Sequence, residues 1–288
     1  LRMFPDTERH LVLMERILAY DFDAELHVLR GDLARESSIA DRVRLLGTNA
    51  LALAALKRKL GPATWLSFTT WPNVLNVLVP GPRPSRVVLS SHNRESVNIQ
   101  GRAAAILKGA VKLTYPKAAR IVAVSEAVRQ DLIDSFGVPP ATIQTLYNTV
   151  DLEAAAAHAS APLDPELTTL LNSPTIVTAG NLGEQKGQWH LIRAFSLVKR
   201  EVSNARLLVL GQGRLGVYLA ALSREAGLVT WAAWEDVPRS ELPKADVVFT
   251  GFTQNPFACF ARAGVFAFPS LWEGFGNVII EALAAGAL

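Results

Sequence analysis

Two carboxylates eight residues apart, Glu273 and Glu281, frame residues 266–286, FAFPSLWEGFGNVIIEALAAG. A short apolar strand, residues 265–268, is stopped by Pro269 and Ser270 and followed by a loop, Glu273-Gly274-Phe275-Gly276. A helix comes next, with Asn277 where a cap belongs and Val278, Ile279, Leu283 and Ala284 spaced as a buried stripe. Carboxylates accept hydrogen bonds from hydroxyls, and glycines let the backbone come close to a ligand. A helix start offers unpaired N–H groups to an anion. Glu273 in the loop, Gly274 and Gly276 beside it, and Glu281 one turn into the helix suit a ligand that carries both hydroxyls and phosphates.

Such a site needs strands and helices to hold it, and the chain supplies them in alternation. Residues 26–29, 65–68, 87–89 and 121–124 read as strands. Residues 8–19, 45–60 and 71–79 read as helices, as does a helix capped by Ser125 and closed at Gly137. Residues 150–174 hold three prolines and no clean apolar period before Leu167, which places a domain boundary at 165/166. A second alternating series follows: strand 175–178, loop 180–187, helix 189–199, strand 206–210, a helix around Tyr218, strand 247–250 and a short helix 256–263. Alternation of this kind predicts mainly parallel sheets covered on both faces, with ligands at the strands' carboxyl ends. Ser90 to Asn93 and Ser125 sit at two of those ends.

Composition limits the function classes. The 288 residues are 50% apolar, enough for two modest cores, and the net charge is +3. One cysteine, Cys259, excludes a disulfide framework, fits a reducing compartment, and reads as a small buried hydrophobe rather than a nucleophile. No apolar run is long enough to span a bilayer and no signal peptide is evident, so a cytoplasmic location is expected. The remaining histidines, 10, 27, 158 and 190, show no metal-ligand spacing. Between Arg83 and Arg129, nine basic residues face two acidic ones. Within that segment, residues 101–120 mix Ile106, Leu107, Val111 and Leu113 with basic residues. This face either rests peripherally on an anionic membrane or is simply solvated. Nucleic-acid binding is not expected, because stacking aromatics are not interleaved with the charge.

Three stretches carry a family likeness: GNLGEQKGQWHLIRAF at 180–195, LLVLGQG at 207–213 and PSLWEGFGNVIIEALAAG at 269–286. They resemble retaining nucleotide-sugar glycosyltransferases of family 4, with weaker support from VVLSSHN at 87–93 and from residues 119–151. The resemblance implies the GT-B architecture: two Rossmann-like domains facing a cleft, residues 1–165 on the acceptor side and 166–288 binding the nucleotide-sugar. Relative to that family the chain reads as incomplete at both ends, with Pro5 to Glu8 closing a loop whose strand is absent.

What the resemblance implies for the residues can be set beside their chemistry. Glu281 would accept two hydrogen bonds from a ribose; an acid on a solvent face is the alternative. Glu273, with the Phe275 and Gly276 amides, would hold the sugar hydroxyls. Lys186, ahead of Gly187 at a loop-to-helix junction, would meet the leaving diphosphate together with the helix start, so no metal or other cofactor is expected. Gly180, Gly183, Gly211 and Gly213 read as close approaches to the nucleotide or as bare turns. Family members carry Arg where this chain has Asn181. Lys186 then acts alone, Arg193 or Arg214 substitutes, or activity is reduced. His92 would lie near the donor sugar and acceptor as hydrogen-bond partner or proton relay, or serve as a structural histidine. Ser125 and Glu126 match a further family stretch, although capping alone explains Ser125. The expected activity is retaining transfer of a sugar from a UDP- or GDP-linked donor to a glycan or lipid-linked acceptor. A non-catalytic nucleotide-binding relative is the alternative.

Overall fold

The computed structural model describes residues 8–13, 24–29, 39–101 and 104–288. The chain divides into two compact units, Leu1–Tyr147 and Asn148–Leu288. In the first, β1 (His10–Leu13) and β2 (Glu25–Val28) pair in parallel as a separate two-stranded sheet. The described part of the helix expected over 8–19 is therefore a strand, and residues 14–23 lie outside the described residues. Helix α1 (Ile39–Leu60) precedes a parallel four-stranded sheet of β3 (Thr64–Phe68), β4 (Arg86–Ser91), β5 (Arg120–Ala123) and β6 (Ile143–Thr145), in that order. Helices α2 (Thr70–Leu78), α3 (Glu95–Asn98), α4 (Ala104–Thr114) and α5 (Glu126–Phe136) connect its strands.

Local chemistry explains the element ends. The Ser125 hydroxyl accepts from the Val128 N–H at 3.2 Å, and Gly137 closes α5 at φ 66°, a conformation that costs glycine nothing. The buried faces carry Leu89, Ile121, Val128 and Leu132, all at 0% exposure. Each such side chain contributes about 1.5–3 kcal/mol of burial. Helix α1 brings one charged group inside. Lys57 is fully buried and donates to the Asn76 carbonyl, the Asn76 side chain and the Val79 carbonyl at 2.6–2.9 Å, satisfying the end of α2.

The second unit begins earlier than composition suggests, because residues 150–171 fold onto it as two capped helices. Asp151 caps α6 (Leu152–Ala159), and Asp164 caps α7 (Pro165–Leu171), whose first residue is proline. Leu167, Leu170 and Leu171 of α7 enter the core of this unit. The five-stranded sheet runs β11-β7-β8-β10-β9, all parallel. Its strands are β7 (Thr175–Ala179), β8 (Arg206–Leu210), β9 (Thr230–Ala232), β10 (Val247–Gly251) and β11 (Val265–Phe266).

In β8, Leu207 and Val209 face one core with α8 (Gln188–Glu201) and α9 (Gly216–Glu225). Leu208 and Leu210 face the other with α7, α10 (Phe257–Phe260) and α11 (Asn277–Ala284). Burial on both faces is why the strand reads as unbroken apolar sequence. The order also creates a topological switch point, the kind of place where open parallel sheets bind ligands. From β7 the sheet grows through β8 on one side, and β11 returns on the other. The strand order therefore reverses between β7 and β11, and the loops leaving their carboxyl ends meet there.

Candidate functional site

Those two loops are residues 180–187 and 267–276. The first is laced to the loop after β8 by backbone bonds: Gly180 N–H to Leu210 C=O at 2.9 Å and Leu182 N–H to Gln212 C=O at 3.0 Å. Gly211 sits at φ 135°, and a Cβ there would fall on the Gly180 carbonyl oxygen. Gly213 packs against the Asn181 side chain in the same way. Gly211 and Gly213 thus come close to the 180–187 loop. The Lys186 stem lies across Gly180, where the missing side chain leaves room.

Lys186 closes a 3-10 turn (Glu184–Lys186), and Gly187, at φ 59°, turns the chain into α8. A Cβ on Gly187 would collide with the Pro269 carbonyl oxygen, so the second loop lies directly on the start of α8. Leu271 N–H donates to the Gln185 carbonyl at 2.8 Å. Lys186 Nζ reaches Glu273 Oε1 at 2.5 Å and stands 5.2 Å from the centre of the Phe268 ring. The pair is one-fifth exposed: 20% for Lys186 and 21% for Glu273. The lysine and carboxylate expected at one site, 87 residues apart in sequence, are in contact.

Gly274, Phe275 and Gly276 carry this loop into α11. Gly276 (φ 83°) occupies the cap position, and Asn277 is the first helical residue, its side chain accepting from Asn148 Nδ2 at 2.6 Å. The cap therefore lies one residue before the expected Asn277. The buried side of α11 also differs from the expected stripe: Ala282 is buried while Leu283 is 62% exposed. Glu281 is half-buried, and loss of hydration raises its pKa above the ordinary carboxylate value. Two polar atoms near this loop, Ser270 Oγ and Trp272 Nε1, are buried without a partner. Unpaired buried donors of this kind are uncommon.

Asn181 is exposed, and its carbonyl accepts from Gln188 Nε2 at 3.1 Å. Arg214 reaches the same loop, ion-pairing with Glu184 at 2.8 Å on the exposed rim, and Arg193 is exposed on α8. Gln185 was not foreseen: its Nε2 donates to the Trp272 carbonyl at 2.8 Å and to Glu273 Oε2 at 3.3 Å. No local pattern marks that residue, because both partners are distant in sequence.

In the first unit, His92 follows β4. Its Nε2 lies 2.9 Å from Ser90 Oγ, its ring 5.8 Å from that of Phe68, and burial lowers its pKa. Burial thus favours the neutral imidazole, which can act as a hydrogen-bond partner or relay. Glu126 is engaged locally, by Thr145 Oγ1 at 2.8 Å and Arg129 at 2.7 Å. Behind His92 lies a buried network. Glu95 (1% exposed) accepts from Thr70 at 3.0 and 2.8 Å and from Tyr115 at 3.4 Å, and Asn73 donates to both Tyr115 and the Ser90 carbonyl. Burial pushes the Glu95 carboxyl up to about 7.

Sequence spacing hid one further cluster. The β1–β2 register sets His10 opposite Glu25, and His27 follows on the same face, so the three ligand atoms lie within 4.8 Å of one another. Among the described residues, this trio could hold a divalent ion. It is also satisfied without one, since His10 Nδ1 and His27 Nε2 are in hydrogen-bond contact at 3.0 Å.

Two family models match the chain, one after the other. Residues 19–154 match the model described as Glycosyltransferase Family 4, and residues 173–288 the model for Glycosyl transferases group 1. One relative is the N-acetylgalactosamine-N,N'-diacetylbacillosaminyl-diphospho-undecaprenol 4-alpha-N-acetylgalactosaminyltransferase of Campylobacter jejuni. It is 30% identical over 281 residues, covering 96% of this chain and 70% of that protein. A second is the GDP-mannose-dependent alpha-(1-6)-phosphatidylinositol monomannoside mannosyltransferase of Mycobacterium tuberculosis, 29% identical over 57% of this chain and 41% of that protein.

Among solved structures, Anabaena Alr3699/HepE in complex with UDP and glucose superposes with a TM-score of 0.63 at 16% identity, over 92% of this chain and 66% of that one. S. aureus TarM, as a point mutant in complex with Fondaparinux, alpha-GlcNAc-glycerol and UDP, gives 0.60 at 17% identity, over 84% and 44%. The chain thus spans 70% of the first relative and under two thirds of the other three. At these identities, the superpositions establish the fold.

Proposed function

The chain belongs to the family 4, group 1 glycosyltransferases, and on that premise we propose that it moves a sugar, with retention, from a UDP- or GDP-linked donor to a hydroxyl of a glycan or lipid-linked acceptor. The observation that carries this reading is the Lys186–Glu273 pair, held where the strand order of the second sheet reverses and beside the start of α8. Lys186 and the first N–H groups of α8 stabilise the departing diphosphate. Glu273 and the amides of Phe275 and Gly276 hold the sugar hydroxyls, and Glu281 accepts from the ribose hydroxyls. Gly180, Asn181, Gly211, Gly213 and Gly274 line the approach of the nucleotide. Arg214, already on the rim of the 180–187 loop, adds positive charge that Asn181 does not bring.

Retention follows from front-face attack, in which the departing phosphate oxygen takes the acceptor proton, and no protein nucleophile is assigned. The alpha linkages in the relatives' names support retention for an alpha-linked donor. His92, whose neutral form burial favours, hydrogen-bonds on the acceptor side or relays a proton. The reading gives a metal no role, so chelation is expected to leave turnover unchanged.

A lipid-linked acceptor, such as the diphospho-undecaprenol in the Campylobacter relative's name, suits the basic segment. On α4, Ile106 is 75% and Leu113 61% exposed beside Lys112, a face fitted to peripheral contact with the cytoplasmic side of an anionic membrane. No described helix is long and apolar enough to cross a membrane.

The test is release of nucleoside diphosphate from a panel of UDP- and GDP-sugars by the full-length protein, with linear and lipid-linked acceptors. Donor-dependent release with an alpha-configured product supports the reading. Binding of UDP or GDP without release on any acceptor would establish a nucleotide-binding relative instead.

A further inference from the structure

Glu273 has two carboxylate oxygens and, among the described residues, two side-chain partners, and only one of these, Lys186, is accounted for by the chemistry above. The other is Gln185. Its amide nitrogen has two hydrogens: one goes to the Trp272 carbonyl at 2.8 Å and the other to Glu273 Oε2 at 3.3 Å. Its backbone carbonyl takes the Leu271 N–H at 2.8 Å. Gln185 is therefore tied to three consecutive residues of the 267–276 loop. The adjoining residues 186 and 187 touch the same loop, at Glu273 and at Pro269.

We propose that Gln185 is a positioning residue of the donor site, which holds the Glu273 carboxylate in place when the incoming diphosphate draws Lys186 away. The proposal rests on the reading that the 180–187 and 267–276 loops bind the donor. Lys186 Nζ donates to Glu273 Oε1. A diphosphate competes for that ammonium, and a carboxylate held by Lys186 alone would swing after it. With Oε2 anchored by Gln185 and the Trp272 carbonyl satisfied by the same nitrogen, Oε1 is released in a fixed orientation toward a sugar hydroxyl. A neutral amide is what this task needs. A carboxylate at 185 would repel Glu273 and compete for Lys186, and a cation there would compete with Lys186 for Glu273.

The experiment compares Gln185→Ala and Gln185→Glu with the unaltered full-length protein. It measures turnover, donor KM, dissociation constants for UDP and GDP, thermal melting, and amide hydrogen exchange across residues 271–276. Gln185→Ala is expected to lower kcat roughly 10–100-fold, the scale of a small misplacement at a reacting centre. Nucleotide affinity should stay within about threefold, while exchange at Leu271 and its neighbours rises. Gln185→Glu is expected to be worse at neutral pH and to recover relative to Gln185→Ala as the pH falls, because only a protonated carboxyl donates to Glu273. A kcat within about twofold of the unaltered protein in Gln185→Ala overturns the proposal. So does a variant whose only defect is a lower melting temperature, or a Gln185→Glu profile parallel to that of Gln185→Ala. Failure of the underlying reading looks different: Lys186→Ala and Glu281→Ala would then leave turnover and nucleotide binding untouched.

Discussion

Replacing Lys186 with alanine removes the one side-chain cation in contact with Glu273 among the described residues, and its cost can be worked from the geometry. The ammonium is held 2.5 Å from a carboxylate, one-fifth exposed, above a glycine and beside the face of Phe268. In such a setting, a unit charge about 4 Å from a developing negative charge is worth about 4 kcal/mol at an effective dielectric of about 20. Loss of one preorganised electrostatic donor costs about 2.7–4 kcal/mol in the transition state. Turnover is therefore expected to fall about 10²–10³-fold.

The stability cost should be much smaller. Gln185 still donates to Glu273, and partial exposure lets water replace the ammonium, so about 1–2 kcal/mol is expected rather than the larger cost of orphaning a fully buried charge. The assay is nucleoside diphosphate release under saturating donor, read beside thermal melting of the same sample. Turnover within about threefold of the unaltered protein would refute the role assigned to Lys186, and a lowered melting temperature beside it would leave a structural ion pair.

Three further outcomes are expected. Glu95 has a folded-state pKa of about 7, raised by burial above its ordinary 4.5, so folding takes up a proton between those values. Its favourable contribution is complete below about pH 4.5 and is lost as the pH rises through 7. Glu95→Gln should accordingly match the unaltered protein in stability at about pH 5 and exceed it by about 1–3 kcal/mol at about pH 8, measured by urea unfolding at both pH values. Lys57→Met should destabilise the first unit by about 2–4 kcal/mol, because two backbone carbonyls and the Asn76 side chain lose a charged donor; a shift under about 0.5 kcal/mol would contradict that accounting. Gly211→Ala should cost more than about 2 kcal/mol, since its Cβ meets backbone at Gly180 and its φ is left-handed, whereas Gly109→Ala, with open space at its Cβ, should be neutral or slightly stabilising.

The 180–187 and 267–276 loops were legible because their chemistry is local. Lys186-Gly187 ahead of a helix, and Glu273 with two glycines ahead of another, announce themselves through residue type and spacing. The unbroken apolar runs of β8 and β10 likewise state that both sheet faces are covered. The Asp-capped helices of residues 150–171 were less visible: alanines and prolines in that stretch hid the short apolar stripe of α7.

What sequence by itself determined was which groups are available: a lysine, two acids, the glycines and a histidine after a strand. Local preference also set some element ends, through Ser125, Gly137 and Pro165. Tertiary structure alone decided which of these groups meet. Lys186 and Glu273, 87 residues apart, are joined by a sheet whose order reverses at β7, and only that order brings the two loops together. The same holds for Gln185 against Trp272, for Lys57 under the end of α2, and for His10 beside His27. Each contact depends on strand order, register or helix placement. Those are settled by burying many side chains at once, and no single stretch of residues contains them.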